Sequence, residues 1–121
     1  MDLNEYQHLA GRTINRELGK YDMMNHGVFG LCSESGEVSG IMQKTYQGHY
    51  LHHDNMVKEL GDCLWMIAEI ATAMGVTLEQ IAQANIEKLR KRYPEGFTAE
   101  RSINREEYVN ERKADPSHAE S

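Results

Sequence analysis

The segment from Val57 to Met74 places the strongest restriction on the fold. Its apolar residues recur every three or four positions, which is the spacing of one face of an α-helix: Val57, Leu60, Leu64, Ile67, Ala71 and Met74. Gly75 follows and is a typical helix stop. The segment therefore predicts a long helix, the most apolar of the chain, with Asp54 or Asn55 as its N-cap.

Three other stretches show the same periodicity. A first helix is predicted over residues 2–18 with Gly19 as its stop. A second runs from Asn25 to Gly48 with one stripe formed by Val28, Leu31, Ser35, Val38 and Met42. Thr77 and Gln80 form the T-x-x-Q pattern of a capping box, so a fourth helix is predicted to start there and to end before Pro94. Because no strand pair or glycine-rich phosphate loop is found, we predict an all-α, four-helix-type bundle.

Length and composition restrict the domain organisation and the class of protein. A chain of 121 residues fits one domain, predicted over 1–112, with a polar extension in which Ser102 caps a short helix through Glu111, and a disordered tail over 113–121. The net charge of −6 argues against a nucleic-acid polymer as partner. The sequence shows no membrane span and no signal peptide, which favours a cytoplasmic protein. Cys32 and Cys63 are expected to be small buried thiols without a disulfide.

Two acidic pairs are the most informative chemical feature. Glu34 and Glu37 lie in the second predicted helix, and Glu59 and Asp62 in the third, each pair three residues apart and therefore on one helix face. Both pairs flank an apolar stripe, and no Lys or Arg lies between the acids of a pair. If the two helices pack antiparallel, four carboxylates converge, and a hard cation such as Mg²⁺ would relieve their repulsion. Each pair taken alone also fits an ordinary solvated helix face.

A basic face on the fourth helix complements the acids. Asn85, Lys88 and Arg92 share that face, and a lysine with an arginine would suit phosphate oxygens held by a metal. Basic residues in the last turn of a helix also stabilise the helix end and favour solubility. Trp65, one turn after Asp62, is a candidate for stacking on a base or for an ordinary core position.

The histidines do not indicate a metal site. His49, His52 and His53 lie in the connector 48–55 without matching ligands, so solvated loop histidines are expected. A carboxylate-bridged diiron site needs two E-x-x-H motifs, and the chain has one, at Glu5 and His8.

Three segments together resemble the MazG-like nucleotide pyrophosphohydrolases, an all-α superfamily. They are GLCSESGEVSG, VKELGDCLWMIAEIATAMGV and NIEKLRKRYPEGF, which give ExxE, ExxD and KxxxR in that order over about residues 28–97. The resemblance implies that Glu34, Glu37, Glu59 and Asp62 bind Mg²⁺, with Mn²⁺ as a substitute. It also implies that Lys88 and Arg92 contact phosphates and that Asn85 lies near the substrate.

The implied reaction cleaves a nucleoside triphosphate, NTP or dNTP, between its α and β phosphates to give a monophosphate and pyrophosphate. Relatives assemble as homodimers or homotetramers, and the apolar excess of the third helix agrees with such an assembly. The alternative is a catalytically silent helical oligomer that binds a nucleotide or a regulatory partner. An intact set of four acids favours the enzyme.

Overall fold

All regular elements in the described part of the chain are α-helices. The computed structural model describes residues 1–105, which form five helices: α1 Leu3–Gly11, α2 Lys20–Tyr46, α3 His53–Met74, α4 Leu78–Arg92 and α5 Ala99–Ile103. The all-α prediction is confirmed. The chain divides into two compact units, Met1–Ile81 and a second that begins at Ala82.

The first connection differs from the prediction. The α1 helix starts after Asp2, whose carboxylate accepts from the Glu5 N–H at 2.8 Å, and it ends at Gly11 instead of Leu18. Side chains satisfy the last carbonyls, since the Thr13 hydroxyl donates to Ala10 O at 2.7 Å and Arg16 donates to Gly11 O at 3.0 Å. Gly19 is the N-cap of α2 and not the stop of α1, and α2 begins five residues before the predicted start.

The other predicted helix ends are mostly confirmed. Gly48 and Gly75 follow α2 and α3 with φ of 103° and 74°, the left-handed region that glycine adopts without strain. The capping box is present, because the Thr77 N–H donates to Gln80 Oε1 at 2.8 Å and the Gln80 N–H donates to Thr77 Oγ1 at 3.0 Å. The predicted cap of α3 is wrong, since His52 occupies the N-cap position without a side-chain hydrogen bond.

The C-terminal extension also differs from its prediction. Thr98, not Ser102, caps the short helix α5, its hydroxyl accepting from the Arg101 N–H at 3.1 Å. The predicted continuation through Glu111 and the tail 113–121 lie outside the described residues. The prediction of one domain over 1–112 stays a prediction.

Within the first unit α3 packs against both α1 and α2. Its buried residues are Met66, Ala68, Glu69, Ala71 and Ala73. The predicted apolar stripe is only partly covered, because Val57 is 66% exposed and Leu60 52%. Ala68, Ala71 and Leu78 form a buried cluster against which Tyr6 and Ala10 of α1 pack. The stripe that carries Glu59 and Asp62 thus continues directly into the core.

The α2 helix comes close to α3 because two glycines face it. A Cβ at Gly27 would lie 2.7 Å from Ile70 Cγ1, and one at Gly30 would lie within contact distance of the Met66 sulfur. The predicted α2 stripe is wrong at its ends, since Val28 and Met42 are about half exposed while Met23 and Gly27 are buried. Small residues decide which face packs, because only they allow the two helices to approach.

A buried carboxylate joins the same two helices. Glu69 is 3% exposed and contacts His26 Nδ1 through both oxygens, at 2.9 and 3.0 Å. The sequence indicated neither partner, because residues 43 positions apart carry no local signal. Glu69 follows Asp62 by two turns of α3, so the pair connects α2 to α3 at that distance from the acid.

In the described part of the chain, no single helix has the length and apolarity needed to cross a membrane; only α3 and α4 taken together, across their break, match such a span in length and composition.

Replacing Gly27 by Ala should lower the free energy of unfolding by about 1–3 kcal/mol, because the new methyl group meets Ile70 in a packed seam. The matched control is Gly40→Ala in the same helix, where a Cβ would meet nothing within 4 Å. That control should gain up to about 1 kcal/mol from helix propensity. Urea denaturation measures both, and equal shifts in the two variants would contradict the close approach of α2 and α3.

Candidate active site

Three of the four predicted acids meet between α2 and α3. Glu34, Glu59 and Asp62 each present a carboxylate oxygen, and these oxygens all lie within 4.8 Å of one another. Glu59 and Asp62 share a face of α3 because they are three residues apart, and Glu34 faces them from α2. All three side chains are partly buried. We refer to these three residues as the acidic site.

Glu37 lies next to the acidic site without being part of that group. It is one turn after Glu34 in α2 and its side chain is exposed. Its negative charge still acts on the site, as one of the influences on the pKa of Glu34. The structure therefore brings three acids together and leaves the fourth at the rim.

The charges in this site oppose ionisation of Glu34. Burial raises the pKa of Glu34 most, followed by the charges of Asp62, Glu59 and Glu37, and a hydrogen bond with Glu59 adds to the rise. Oxygen donors with surplus negative charge are the ligands that Mg²⁺ and Mn²⁺ prefer. The residues present therefore fit a hard divalent cation.

The raised pKa of Glu34 predicts a pH-dependent stability of the metal-free protein. A raised pKa in the folded state means that folding disfavours the charged form, so the destabilisation is absent below the ordinary pKa of a glutamate and complete above the raised value. In EDTA, Glu34→Gln should therefore melt above the parent at pH 7, and the difference should shrink as the pH falls toward 4. Scanning calorimetry over a pH series measures it. If the difference in melting temperature between Glu34→Gln and the parent is constant with pH, ionisation of Glu34 does not destabilise the fold.

A large cavity opens beside the acidic site. It has a volume of about 760 Å³ and is bounded by α1 and α3, with Tyr6, Thr13, Lys58, Asp62 and Trp65 among its walls. Trp65 is fixed there, because its indole N–H donates to Thr13 Oγ1 at 2.8 Å. Burial and the charge of Asp62 raise the pKa of Tyr6. An aromatic plane thus stands at a cavity wall that includes one of the three acids, while the base-stacking role of Trp65 stays a prediction.

The predicted phosphate-binding residues belong to the second unit. Asn85 and Lys88 are exposed. Arg92 is partly buried at the end of α4. It neighbours Tyr93, whose pKa is lowered by a hydrogen bond with Ser102 and by the positive charges of Arg105 and Arg92. The sequence did not indicate this contact, because it joins α4 to a short helix across a turn.

The histidines and cysteines agree only in part with expectation. His49, His52 and His53 are exposed, although His53 already begins α3. Both cysteines are free, as predicted. Cys32 is exposed and Cys63 partly buried, so the prediction of buried thiols is wrong for Cys32. The reason is that Cys32 lies on the face of α2 turned away from α3.

The described residues thus form an all-helical structure in which two neighbouring helices share an acidic site. The profile of the MazG nucleotide pyrophosphohydrolase domain matches residues 27–97, more than half of the chain. The chain belongs to this family. It is also similar to the Gene 37 protein of Mycobacterium phage L5, with 28% identity over 78 residues, covering 60% of this chain and 68% of that protein. No solved structure matches the chain.

Proposed function

We propose that this protein is a Mg²⁺-dependent nucleoside triphosphate pyrophosphohydrolase, which cleaves NTP or dNTP between the α and β phosphates and takes part in clearing the nucleotide pool. The observation that carries the proposal is the meeting of three carboxylates from two helices within 4.8 Å, in a chain of the MazG family. Glu34, Glu59 and Asp62 would hold the cation, and Glu37 is proposed as a fourth ligand from the rim. Mn²⁺ would substitute for Mg²⁺ because it prefers the same ligands.

The chain's own residues divide the remaining tasks. A bound divalent cation supplies charge neutralisation and a more acidic water. One of the carboxylates orients the attacking water, which must lie in line with the leaving pyrophosphate. Lys88 and Arg92 contact the phosphates, Asn85 lies near the substrate, and Trp65 stacks on the base in the cavity beside Asp62.

Exposed apolar residues support assembly as a homodimer or homotetramer. Phe29 is 70% exposed and Val57 66%, with Val28, Met42 and Leu60 about half exposed on the same two helices. Apolar side chains of this size are usually covered, and a second copy would cover them. Light scattering of the purified protein measures the mass. With nucleotides as substrate, we place the protein in the cytoplasm.

The alternative, a catalytically silent oligomer that binds a nucleotide or regulatory partner, is favoured by the same exposed apolar residues. The acidic site argues against it. A silent protein gains nothing from gathering three partly buried carboxylates in a site where burial and the neighbouring charges oppose ionisation of Glu34, because removing one of these charges would stabilise the fold.

The test is an assay of the purified protein against a panel of ribo- and deoxyribonucleoside triphosphates. Pyrophosphate and orthophosphate are measured separately, with Mg²⁺, Mn²⁺ or EDTA. We expect equal amounts of monophosphate and pyrophosphate, and no activity in EDTA. Release of orthophosphate alone would place the broken bond elsewhere, and binding of nucleotides without any hydrolysis would favour the silent oligomer.

A further inference from the structure

A second, smaller cavity lies where α2 ends and α3 begins. Its volume is about 280 Å³, and its walls are formed by Ile41, Lys44, His49, Tyr50, His52 and Asn55. We call it the connector cavity. None of the residues assigned to metal, phosphates or base lines it, so the proposed function leaves it without a role.

The lining of the connector cavity is basic and rich in donors. Lys44 supplies an ammonium group, and His49, His52, Tyr50 and Asn55 can each donate a hydrogen bond from a ring nitrogen, a hydroxyl or an amide. No carboxylate is among the lining residues, in a chain whose net charge is −6. The C-terminal end of α2, with its negative partial charge, lies here beside the N-terminal end of α3, with its positive partial charge. These two partial charges offset each other, so the side chains determine the sign of the local charge. This set suits an oxyanion.

The same residues do not suit a metal cation or an apolar ligand. Among the described residues, the acidic site is the only group of three or more His, Cys, Asp or Glu side chains close enough to hold a metal ion. The ammonium group of Lys44 disfavours a cation in this cavity. Ile41 is the one apolar side chain in the lining.

The end of α2 fixes the backbone on one side of the connector cavity. Gly48, with φ of 103°, lets the His49 N–H reach Lys44 O at 3.0 Å while its own N–H bonds Thr45 O at 3.0 Å. This hydrogen-bond pair is a Schellman motif, and it fixes the backbone of His49 relative to that of Lys44. In the same lining the rings of Tyr50 and His52 contact edge to face, with centroids 4.9 Å apart.

The connector cavity lies on the same helices as the acidic site. Asn55 precedes Glu59 by one turn of α3, and Ile41 follows Glu34 by two turns of α2. These separations correspond to about 6 and 10 Å along the helix axes, given a rise of 1.5 Å per residue.

We propose that the connector cavity binds an anion of the phosphate class, with Lys44, His49 and His52 as its principal contacts. The proposal rests on the proposed function only in naming the source, which is either the phosphate chain of the bound nucleotide or free pyrophosphate. Binding of an oxyanion in the connector cavity does not depend on the proposed function.

The first test measures binding of pyrophosphate by calorimetry in EDTA, where the acidic site repels the anion and cannot hold it. The parent should bind, and Lys44→Ala, Lys44→Gln and His52→Ala should each raise Kd about tenfold, as expected for loss of one charge-assisted hydrogen bond. Matched controls are His53→Ala, an exposed histidine outside the lining, and Lys20→Ala, an exposed lysine at the other end of α2. Both controls should bind as the parent does.

Asp62→Asn should leave this metal-free binding intact or tighten it, which separates the connector cavity from the proposed function. A parent that binds no pyrophosphate in EDTA would overturn the proposal, as would equal losses in His52→Ala and His53→Ala. Circular dichroism and melting temperature confirm that each variant is folded. Because Lys44 and His52 are exposed, their substitution removes no core packing.

The second test identifies the source of the anion. If the connector cavity holds the phosphate chain of the substrate, Lys44→Ala raises KM for the nucleotide about tenfold. If it holds free pyrophosphate, KM stays constant and the inhibition constant of pyrophosphate rises by that factor. If a variant that has lost metal-free binding of pyrophosphate keeps both the parental KM and the parental inhibition constant, neither proposed source of the anion is correct. The connector cavity would then bind an anion that takes no part in the reaction.

Discussion

Replacing Asp62 by Asn should lower the turnover number for nucleotide hydrolysis by about a hundredfold to a thousandfold or more, while the helical signal stays unchanged. Asp62 belongs to the acidic site and also lines the cavity that contains Trp65. Asparagine keeps the shape of the side chain but removes the charge that a divalent cation needs. The loss resembles that of other groups that stabilise developing charge.

The same variant should lose the rise in melting temperature that Mg²⁺ gives the parent, because a cation that binds only the folded state stabilises it. Asp22→Asn is the control, since Asp22 is an exposed acid in the first turn of α2. It should keep parental kinetics and the parental response to Mg²⁺. Full activity in Asp62→Asn would show that Asp62 is not needed to bind the metal ion, and it would contradict the proposed reaction.

Glu37→Gln refines this prediction. If Glu37 is a ligand from the rim, its variant should lose activity as Asp62→Asn does. If three ligands suffice, Glu37→Gln should keep most of the activity and only lower the pKa of Glu34, because one repelling charge is gone. The two outcomes separate a three-carboxylate from a four-carboxylate site.

Replacing Lys88 or Arg92 by Ala should reduce turnover by about a hundredfold to a thousandfold, because each side chain is proposed to neutralise charge on the leaving pyrophosphate. Arg92→Lys should recover only part of the loss, since lysine keeps the charge but not the planar fork of donors. Steady-state kinetics with separate kcat and KM measure the effect.

Arg90→Ala is the matched control for this pair. Arg90 is exposed in the same last turns of α4, but it projects from the opposite side of the helix to Lys88 and Arg92. If all three variants behave alike, the basic residues serve solubility and helix stability instead of catalysis. Arg92→Ala also needs a stability measurement, because Arg92 neighbours Tyr93 and its loss affects that contact.

Local sequence signals predicted the helices well where backbone chemistry determines them. Gly75 ends α3 because glycine adopts a positive φ, and Thr77 with Gln80 begins α4 because the two residues satisfy each other's N–H groups. The end of α1 could not be predicted, because Arg16 reaches back to Gly11 O from beyond the helix. Apolar spacing continued through that segment without a helix.

Which helix face packs could not be read from hydrophobicity alone. Val57 and Leu60 are strongly apolar but exposed, while Gly27 lies buried in the seam because its lack of a side chain lets α3 approach. Glu69 is buried because His26 lies across from it, a pairing without any local signal. The convergence of Glu34, Glu59 and Asp62 followed from spacing and antiparallel packing. The place of Glu37 did not, because it depends on how α2 is rotated about its axis, and a spacing of three residues, which Glu59 and Asp62 share, does not determine that rotation.

The hydrogen bond between Trp65 and Thr13 has an optical consequence. The chain contains a single tryptophan, and its indole is fixed at the wall of the cavity that includes Asp62. Its emission therefore comes from one known position, without any dye or engineered label. Whatever fills that cavity changes the polarity around one indole ring, so its fluorescence can follow ligand arrival in a stopped-flow instrument on the unmodified protein.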